Sequence, residues 1–309
     1  MEKSPEITLL YQGTDISKDV DILECVHRDV SCGACDMLNL KVDHADKWMQ
    51  WNPQKNDTIR VKRSGYDSMN LYLNTVVPED GAYRILATGA KAVPFPARWQ
   101  SFKDKAYSAI MTMCASECGM VAKNHGAGNP QYAYVLRENL SAPVFMEMLA
   151  NREGAVLKAL DGSFTSIGVL YAQGLAAMHE VQLDSDQMSS VYTDKRYLSW
   201  SCVEIDTPFG KGKAIDSAST GLKQVITDIP VDDNAQAKRW ASGLLLMHNR
   251  QSEMLELAMD FNPGYTAMVR INVKSSTASN GQWIVHETEQ DLLNGRTKAK
   301  LLRCVTTIA

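Results

Sequence analysis

Seven cysteines are the residues of this chain best suited to metal or redox chemistry: Cys25, Cys32, Cys35, Cys114, Cys118, Cys202 and Cys304. Cys32 and Cys35 form a C-x-x-C pair with Cys25 upstream, but a second such pair, which would complete a tetrahedral zinc site, is missing. A thioredoxin-like pair needs a strand-to-helix context, whereas the residues after Cys35 alternate as in a strand. The sequence therefore favours buried or incidental thiols, with a binding module stabilised by metal at Cys25, Cys32 and Cys35 as an open alternative.

Six carboxylates in the first part of the chain are numerous enough to contain an acid–base pair: Asp21, Glu24, Asp29, Asp36, Asp43 and Asp46. Hydrolysis of a glycan requires two carboxylates at a fixed short distance, and a sequence does not show that distance. Most Asp and Glu side chains in proteins are exposed to solvent. The pattern therefore favours turns and solvated strand edges over a catalytic pair.

The remaining chemical motifs do not add a catalytic centre. The histidines are scattered and form no pair at metal-ligand spacing: His27, His44, His125, His179, His248 and His286. Gly210-Lys211-Gly212-Lys213 lacks the spacing of a phosphate-binding loop, so we predict a hairpin turn there. Nucleophile-elbow, zinc-protease, EF-hand and dinucleotide-binding motifs are absent. The sequence thus predicts no catalytic residue, no cofactor-binding residue and no metal ligand, and the protein is expected not to be an enzyme.

Composition places the chain among folded, multidomain proteins. Of 309 residues, 45% are hydrophobic and 22% are charged, and 32 basic against 36 acidic residues give a net charge of −4. Because a positive field is lacking, we expect no nucleic-acid sequence recognition. No run approaches the roughly 20 apolar residues that cross a bilayer, so stable membrane insertion is not expected. Met1–Leu10 lacks the signal-peptide pattern, which predicts synthesis in the cytoplasm.

Hydrophobic periodicity divides the chain into three segments. Alternation at Leu38–Val42, Ile59–Val61 and Leu71–Leu73 predicts short strands of a small barrel or sandwich up to residue 96. Apolar residues at helical spacing then predict one helix that begins at an N-cap, Ser101, and ends at Gly119.

A second helix is predicted from Ser141 to Glu153, followed by a hairpin at Asp161-Gly162. Together with the first helix, it makes residues 97–192 a small α/β unit with a linker. From Tyr197 the strand pattern returns, interrupted by one helix over Asp233–Asn249. Two β-rich halves therefore flank an α/β insert.

Three stretches carry a family resemblance when they are taken in order. The first is Ala34-Cys35-Asp36-Met37-Leu38-Asn39-Leu40 with the Trp/Pro turn and strand of Trp51–Ile59. The second runs from Arg98-Trp99-Gln100-Ser101 to the helix, glycine, strand and Asp-Gly turn of Phe145–Phe164. The third is the closing set of strands over Asn262–Val305. In this order the chain resembles the baseplate hub proteins of phage tails and contractile injection systems, the late-control-protein-D-like family.

The sequence departs from this family in places. Asn56 stands where the family usually has glycine, although Asn accepts the same left-handed turn. The segment from Cys25 to Cys35 and the linker from Ala172 to Asp194 match no part of the family pattern.

The resemblance implies a fold that is α+β and mainly β. Two tube-type β-barrel domains, residues 1–96 and 193–309, would flank the α/β domain of residues 97–192. Such hubs form homotrimers whose duplicated domains make a pseudo-sixfold ring, which joins a sixfold tail tube to a threefold spike. The implied partners are the spike protein, the tail tube protein and other baseplate proteins, within a phage tail or tail-like particle. No cofactor is implied.

Two points stay open at the level of sequence. The strand faces bearing Arg60, Lys62, Arg270 and Lys274 would line the lumen or meet neighbouring subunits, or they are simply solvated. A tail-associated peptidoglycan hydrolase is the enzymatic alternative, because a site assembled from distant residues leaves no local motif. The sequence does not distinguish a phage from a bacteriocin or an effector-delivery system.

Overall fold

The computed structural model describes residues 7–33, 35–43, 45–184 and 188–309. Strands account for 48% of these described residues and helices for 18%, which confirms an α+β fold that is mainly β. Among the described residues, no helix combines the length and the hydropathy that a membrane span requires.

The helices are α1 (Ala45–Trp51), α2 (Tyr107–Glu117), α3 (Ala142–Arg152), α4 (Val169–Gly174) and α5 (Asn234–Asn249). The strands of the first half are β1 (Thr8–Tyr11), β2 (Thr14–Asp15), β3 (Ile22–Val30), β4 (Met37–Val42), β5 (Thr58–Arg63), β6 (Tyr66–Asp67), β7 (Leu71–Glu79), β8 (Ala82–Thr88), β9 (Arg98–Ala106), β10 (Val121–His125) and β11 (Gln131–Leu140). The strands of the second half are β12 (Ala155–Leu160), β13 (Ser163–Gly168), β14 (His179–Gln182), β15 (Ser189–Asp194), β16 (Trp200–Asp206), β17 (Lys211–Ile215), β18 (Leu222–Ile226), β19 (Glu253–Asp260), β20 (Arg270–Lys274), β21 (Gly281–Asp291) and β22 (Arg296–Arg303).

The largest sheet contains strands from both ends of the chain. Its strand order is β15-β19-β22-β21-β3-β4-β8-β7-β5-β1-β2, and β20 and β14 extend it beside β21. Strand β3 pairs antiparallel with β21, with Val26–Val30 opposite Glu287–Asp291. This one strand pair therefore joins the two β-rich halves into a continuous sheet.

Each half of this sheet has its own apolar cluster. Leu38, Leu40 and Val42 of β4 are fully buried with Ile59 and Val61 of β5, as their alternation predicts. A second cluster collects the buried side chains of β19, β20, β21 and β22 around Leu255, Ile271 and Trp283. In both halves, the apolar residues that alternate along the strands are therefore the ones buried in the core.

The third cluster belongs to the middle of the chain and extends beyond residue 192. Phe145 and Leu149 of α3 share it with Val203 and Ile205 of β16 and with Trp240 of α5. Strands β14 and β15, from the segment that matches no family pattern, pair instead with β20 and β19 of the large sheet. The domain boundaries at residues 96 and 192 remain a prediction.

The helix predicted from Ser101 is wrong at its start, because residues 98–106 form a strand and α2 begins only at Tyr107. Phe102 pairs with Val135 across the β9–β11 ribbon and is only 2% exposed. Asp104 has a φ of 49°, which an α-helix does not allow. Pairing of β9 with the distant strand β11 therefore outweighed the helical spacing of the apolar residues.

Other local predictions are confirmed. Helix α3 follows Ser141, and α5 follows Asp233, whose carboxylate accepts the Gln236 N–H at 2.7 Å. The turn at Asp161-Gly162 joins the antiparallel strands β12 and β13. Asn56 has a φ of 72°, the left-handed conformation expected where the family has glycine.

Candidate functional site

Of the six carboxylates considered as an acid–base pair, the structure brings Asp29 and Asp36 together. Both lie against the ammonium group of Lys158, from β12, and the side chains of Asp29, Asp36 and Lys158 are 9%, 1% and 10% exposed. Lys158 Nζ donates to the two Asp36 oxygens at 2.7 and 2.8 Å, to Asp29 Oδ1, and to the Val30 carbonyl at 3.0 Å. We call Asp29, Asp36 and Lys158 the buried ion cluster.

The cluster connects three parts of the chain. Asp29 lies near the end of β3, Asp36 just before β4, and Lys158 on the middle sheet. The second oxygen of Asp29 accepts the backbone N–H of Ala267 at 2.9 Å, from the loop before β20. Because the N-terminal, middle and C-terminal segments all meet here, the cluster fixes their relative positions.

The electrostatics of the cluster are those of one cation shared by two anions. Burial and the neighbouring Asp29 carboxylate raise the pKa of Asp36 to about 7, and the Lys158 ammonium opposes this shift. Burial lowers the pKa of Lys158, but the two carboxylates outweigh it and raise that pKa. Since these groups are withdrawn from solvent and bound to each other, they suit a structural connection rather than attack on a substrate.

Sequence reasoning considered Asp29 and Asp36 but missed Lys158. The sequence feature that points to Lys158 is its position as the one charged residue in the apolar run Val156-Leu157-Lys158-Ala159-Leu160. A lysine at a strand position buried on both faces requires a partner, because an unpaired buried charge is very costly. The pattern thus points to an anion, although it does not identify which one.

The other four carboxylates do not join this cluster. Glu24 accepts from Asn39 at 2.8 Å and pairs with Arg84 at 3.2 Å, on the surface of the large sheet. Asp46 is exposed in the first turn of α1, Asp21 lies just before β3, and Asp43 lies just after β4.

The cysteines are free thiols, and in the described parts of the chain no three His, Cys, Asp or Glu residues are grouped closely enough to hold a metal ion. Cys25 is buried in the N-terminal apolar cluster, and burial raises its pKa to about 12. Cys114 and Cys118 are buried on and just after α2. Burial therefore favours the protonated form of the Cys25 thiol, whereas the form that ligates a metal is the thiolate.

Four histidines make aromatic or polar contacts in different places. His27 lies against the Tyr66 hydroxyl, and His286 lies 2.7 Å from the Ser31 hydroxyl. His248 stacks on a tryptophan and His179 on a tyrosine. His125 is exposed on β10; His44 lies outside the described residues.

The hairpin predicted at Gly210–Lys213 is present, but its turn is residues 207–210, and Lys211, Gly212 and Lys213 already belong to β17, which pairs antiparallel with β16. A Cβ at Gly212 would lie 2.1 Å from the Lys238 backbone nitrogen, so glycine allows β17 to pack directly on α5.

The four basic residues assigned to lumen or interface faces already have partners within the chain. Arg60 pairs with Asp67, and Lys62 Nζ lies 3.7 Å from the same carboxylate. Arg270 donates to the carbonyls of residues 173 and 175 at 2.9 and 3.0 Å. Lys274 pairs with Glu180 at 2.7 Å.

Strand pairs and the buried ion cluster thus hold the segments of this protein together. Comparison with solved structures shows which proteins have a similar fold. The chain is similar to the tail protein from Neisseria meningitidis MC58, with 12% identity, a TM-score of 0.72 and 97% of each chain covered. It is similar to the 43 kDa tail protein of prophage MuSo2 from Shewanella oneidensis, with 14% identity, a TM-score of 0.69 and 97% coverage of each chain.

A third similar structure is the E. coli c3393 protein, a component of the type VI secretion system with structural similarity to T4 bacteriophage tail proteins gp27 and gp5. It is 8% identical, with a TM-score of 0.59 over 96% of this chain and 76% of that one. No family model matches this chain, nor does any curated protein. The chain has the fold of phage tail proteins, which confirms at the level of fold the resemblance seen in the sequence.

Proposed function

We propose that this chain is a structural subunit of a phage tail or tail-like injection particle, in the baseplate hub that joins a sixfold tube to a threefold spike. The observation that carries the proposal is the likeness in fold to two tail proteins over 97% of this chain and of each of those chains. If only one domain matched, the same domain fold could occur in a protein with a different function. A match over whole chains supports a role in the same kind of assembly.

The arrangement of the large sheet supports a duplicated, tube-type architecture. The hairpin of β3 and β4 meets the hairpin of β21 and β22 at the antiparallel pair β3–β21. Each hairpin pairs with one further antiparallel strand on its outer side: β8 pairs with β4, and β19 pairs with β22. Two related domains in each of three subunits would provide six positions around the tube axis.

As a hub, the protein would function through permanent interfaces with other protein subunits. Its partners are two further copies of the chain, the spike protein, the tail tube protein and other baseplate proteins. Neither nucleic-acid recognition nor membrane insertion is part of the proposal, and assembly would take place in the bacterial cytoplasm. The buried ion cluster serves this role because a junction under mechanical load needs segments that keep fixed positions.

The test is to purify particles from a producing lysate on a density gradient and to quantify this chain against the tube and sheath proteins. Three copies per particle end are expected, as threefold closure requires. Intact particles that sediment without the chain would overturn the hub proposal. Purified protein added to isolated peptidoglycan should release no soluble fragments; lysis that one substitution abolishes would favour the hydrolase alternative instead.

A further inference from the structure

A groove of about 940 Å³ lies between α5, the loop of residues 126–130 and the C-terminal segment of residues 305–308. Leu246, Val305 and Ile308 contribute apolar surface to it. Five glycines also line it: Gly126 and Gly128 of the loop are exposed, whereas Gly154, Gly168 and Gly243 are buried against other segments of the chain. At Gly128 the loop wall presents exposed backbone, which the backbone of a bound segment can approach closely.

Hydrogen bonds fix the loop wall of the groove in place. The Asn124 side chain donates to the Gly128 carbonyl at 2.7 Å and accepts the Ala127 N–H at 3.1 Å. The Asn129 side chain accepts the Ser108 N–H at 2.8 Å. This wall therefore exists before any partner arrives, which lowers the cost of binding.

The C-terminal wall is fixed as well. Residues Ile215 and Ala309 exchange two backbone hydrogen bonds, of 3.1 and 2.9 Å. Ser217 N–H donates to the Thr307 carbonyl at 3.2 Å. The groove is thus a preformed feature between two anchored segments.

Large apolar side chains extend the groove onto the surface. Leu170, which lines the groove, is 61% exposed, and the adjacent Tyr171 is 46% exposed. The Tyr171 ring lies against Gly126, where a Cβ would be 2.2 Å from the ring. Exposed apolar surface next to an apolar groove marks a protein contact better than a small-molecule pocket.

The free charge of the groove is positive. Lys238 is exposed on the α5 wall, and no described carboxylate lies within ion-pair distance of its ammonium group. Its neighbour Arg239 donates to Glu153 at 2.8 Å, and the same carboxylate accepts from Tyr132 and Trp240. Glu153 is therefore fully engaged and does not neutralise Lys238.

We propose that this groove binds an apolar segment that carries a carboxylate, supplied by a different polypeptide, with the carboxylate paired to Lys238. The apolar floor and Leu170 would take the apolar side chains, and the exposed loop wall at Gly128 would take the backbone. The unpaired ammonium selects an acidic segment by charge complementarity. This inference concerns one surface and stands independently of the hub proposal.

The test is site-specific photo-crosslinking in the native host cells, with Leu170→p-benzoylphenylalanine in the full-length chain. Mass spectrometry should identify a cross-linked peptide from another polypeptide, with apolar residues and an Asp or Glu. In the same background, Lys238→Glu should lower the cross-link yield about tenfold, equivalent to about 1.4 kcal/mol, and Lys238→Arg should retain it. Lys55→Glu, the same charge change at an exposed site of the N-terminal half, should have no effect.

Three results would overturn the proposal: a cross-link only to a second copy of this chain, the absence of any cross-link, or a yield that Lys238→Glu leaves unchanged. Thermal unfolding of each purified variant shows whether the fold is intact, and exposed Lys238 tolerates substitution. Particle sedimentation is scored separately. A chain missing from particles but cross-linked as described contradicts the hub and supports the groove.

Discussion

Lys158 Nζ lies 2.7 and 2.8 Å from the two carboxylate oxygens of Asp36, so a strand of the middle sheet is tied to the start of β4. Asp36 Oδ1 also accepts the Val30 N–H at 3.0 Å. The charged groups of the cluster are thus hydrogen-bonded, and they connect Asp36 and Lys158, which are 122 residues apart in sequence. Both the strength of this connection and its dependence on pairing can be measured.

Lys158→Met is expected to lower the free energy of unfolding by about 3–5 kcal/mol, because it leaves two buried carboxylates without a counter-charge. Urea denaturation of the purified chain measures this loss. Lys123→Met, at an exposed site on β10, is the matched control and should change stability by less than about 0.5 kcal/mol. Adding Asp29→Asn and Asp36→Asn to Lys158→Met should restore part of the loss, since the buried anions disappear. Equal stability of Lys158→Met and the control would show that the cluster is dispensable.

His286→Asn should flatten the decline in stability on acidification. Burial, reinforced by Arg250, lowers the pKa of His286 from 6.5 to about 4 in the folded protein. As the pH falls below 6.5 the unfolded chain binds a proton that the folded chain resists, so this histidine's contribution is lost between about 6.5 and 4.

The matching measurement is urea denaturation of wild type and His286→Asn at several pH values across that window. The raised pKa of Asp36 contributes with the opposite sign, since there the folded state holds the proton longer. The prediction therefore concerns the difference between the two proteins. Parallel stability curves would contradict it.

Gly243→Ala is expected to destabilise the protein by about 1–3 kcal/mol, although alanine ordinarily stabilises a helix interior. A Cβ at this position would lie 2.1 Å from the Arg152 carbonyl oxygen and 2.6 Å from the Gly154 nitrogen, where α5 crosses the end of α3. The melting temperature of the variant reports the cost. Ser242→Ala, one position earlier on the same helix, should be neutral or slightly stabilising, and equal behaviour of the two would argue against a tight helix crossing.

Removal of metal should leave the protein unchanged. Burial raises the pKa of Cys25 to about 12 and also raises the pKa of Cys35, so both thiols stay protonated near neutral pH. Before treatment, we expect the purified protein to contain less than one zinc ion per chain. After dialysis against a chelator, we expect its melting temperature to be unchanged. Unfolding by the chelator would instead favour the metal-stabilised module.

Local patterns in the sequence were sufficient for the elements whose partners are close in the chain. The alternation at Leu38–Val42 predicts β4, and Asp233 with the following apolar stripe predicts α5. The left-handed turn at Asn56 was indicated by the glycine that the family usually has there, and Asn accepts this conformation. In each case the conformational preference and the tertiary environment favour the same structure.

The tertiary structure decided the features that depend on distant partners. Phe102 joins a strand because Val135 pairs with it, and Lys158 becomes part of a site because folding brings Asp29 and Asp36 to it. Neither contact leaves a local pattern, since its free energy arises between segments far apart in the chain. The sequence by itself therefore determined the mainly β character and the order of its elements, whereas long-range pairing and charge burial decided which residues meet.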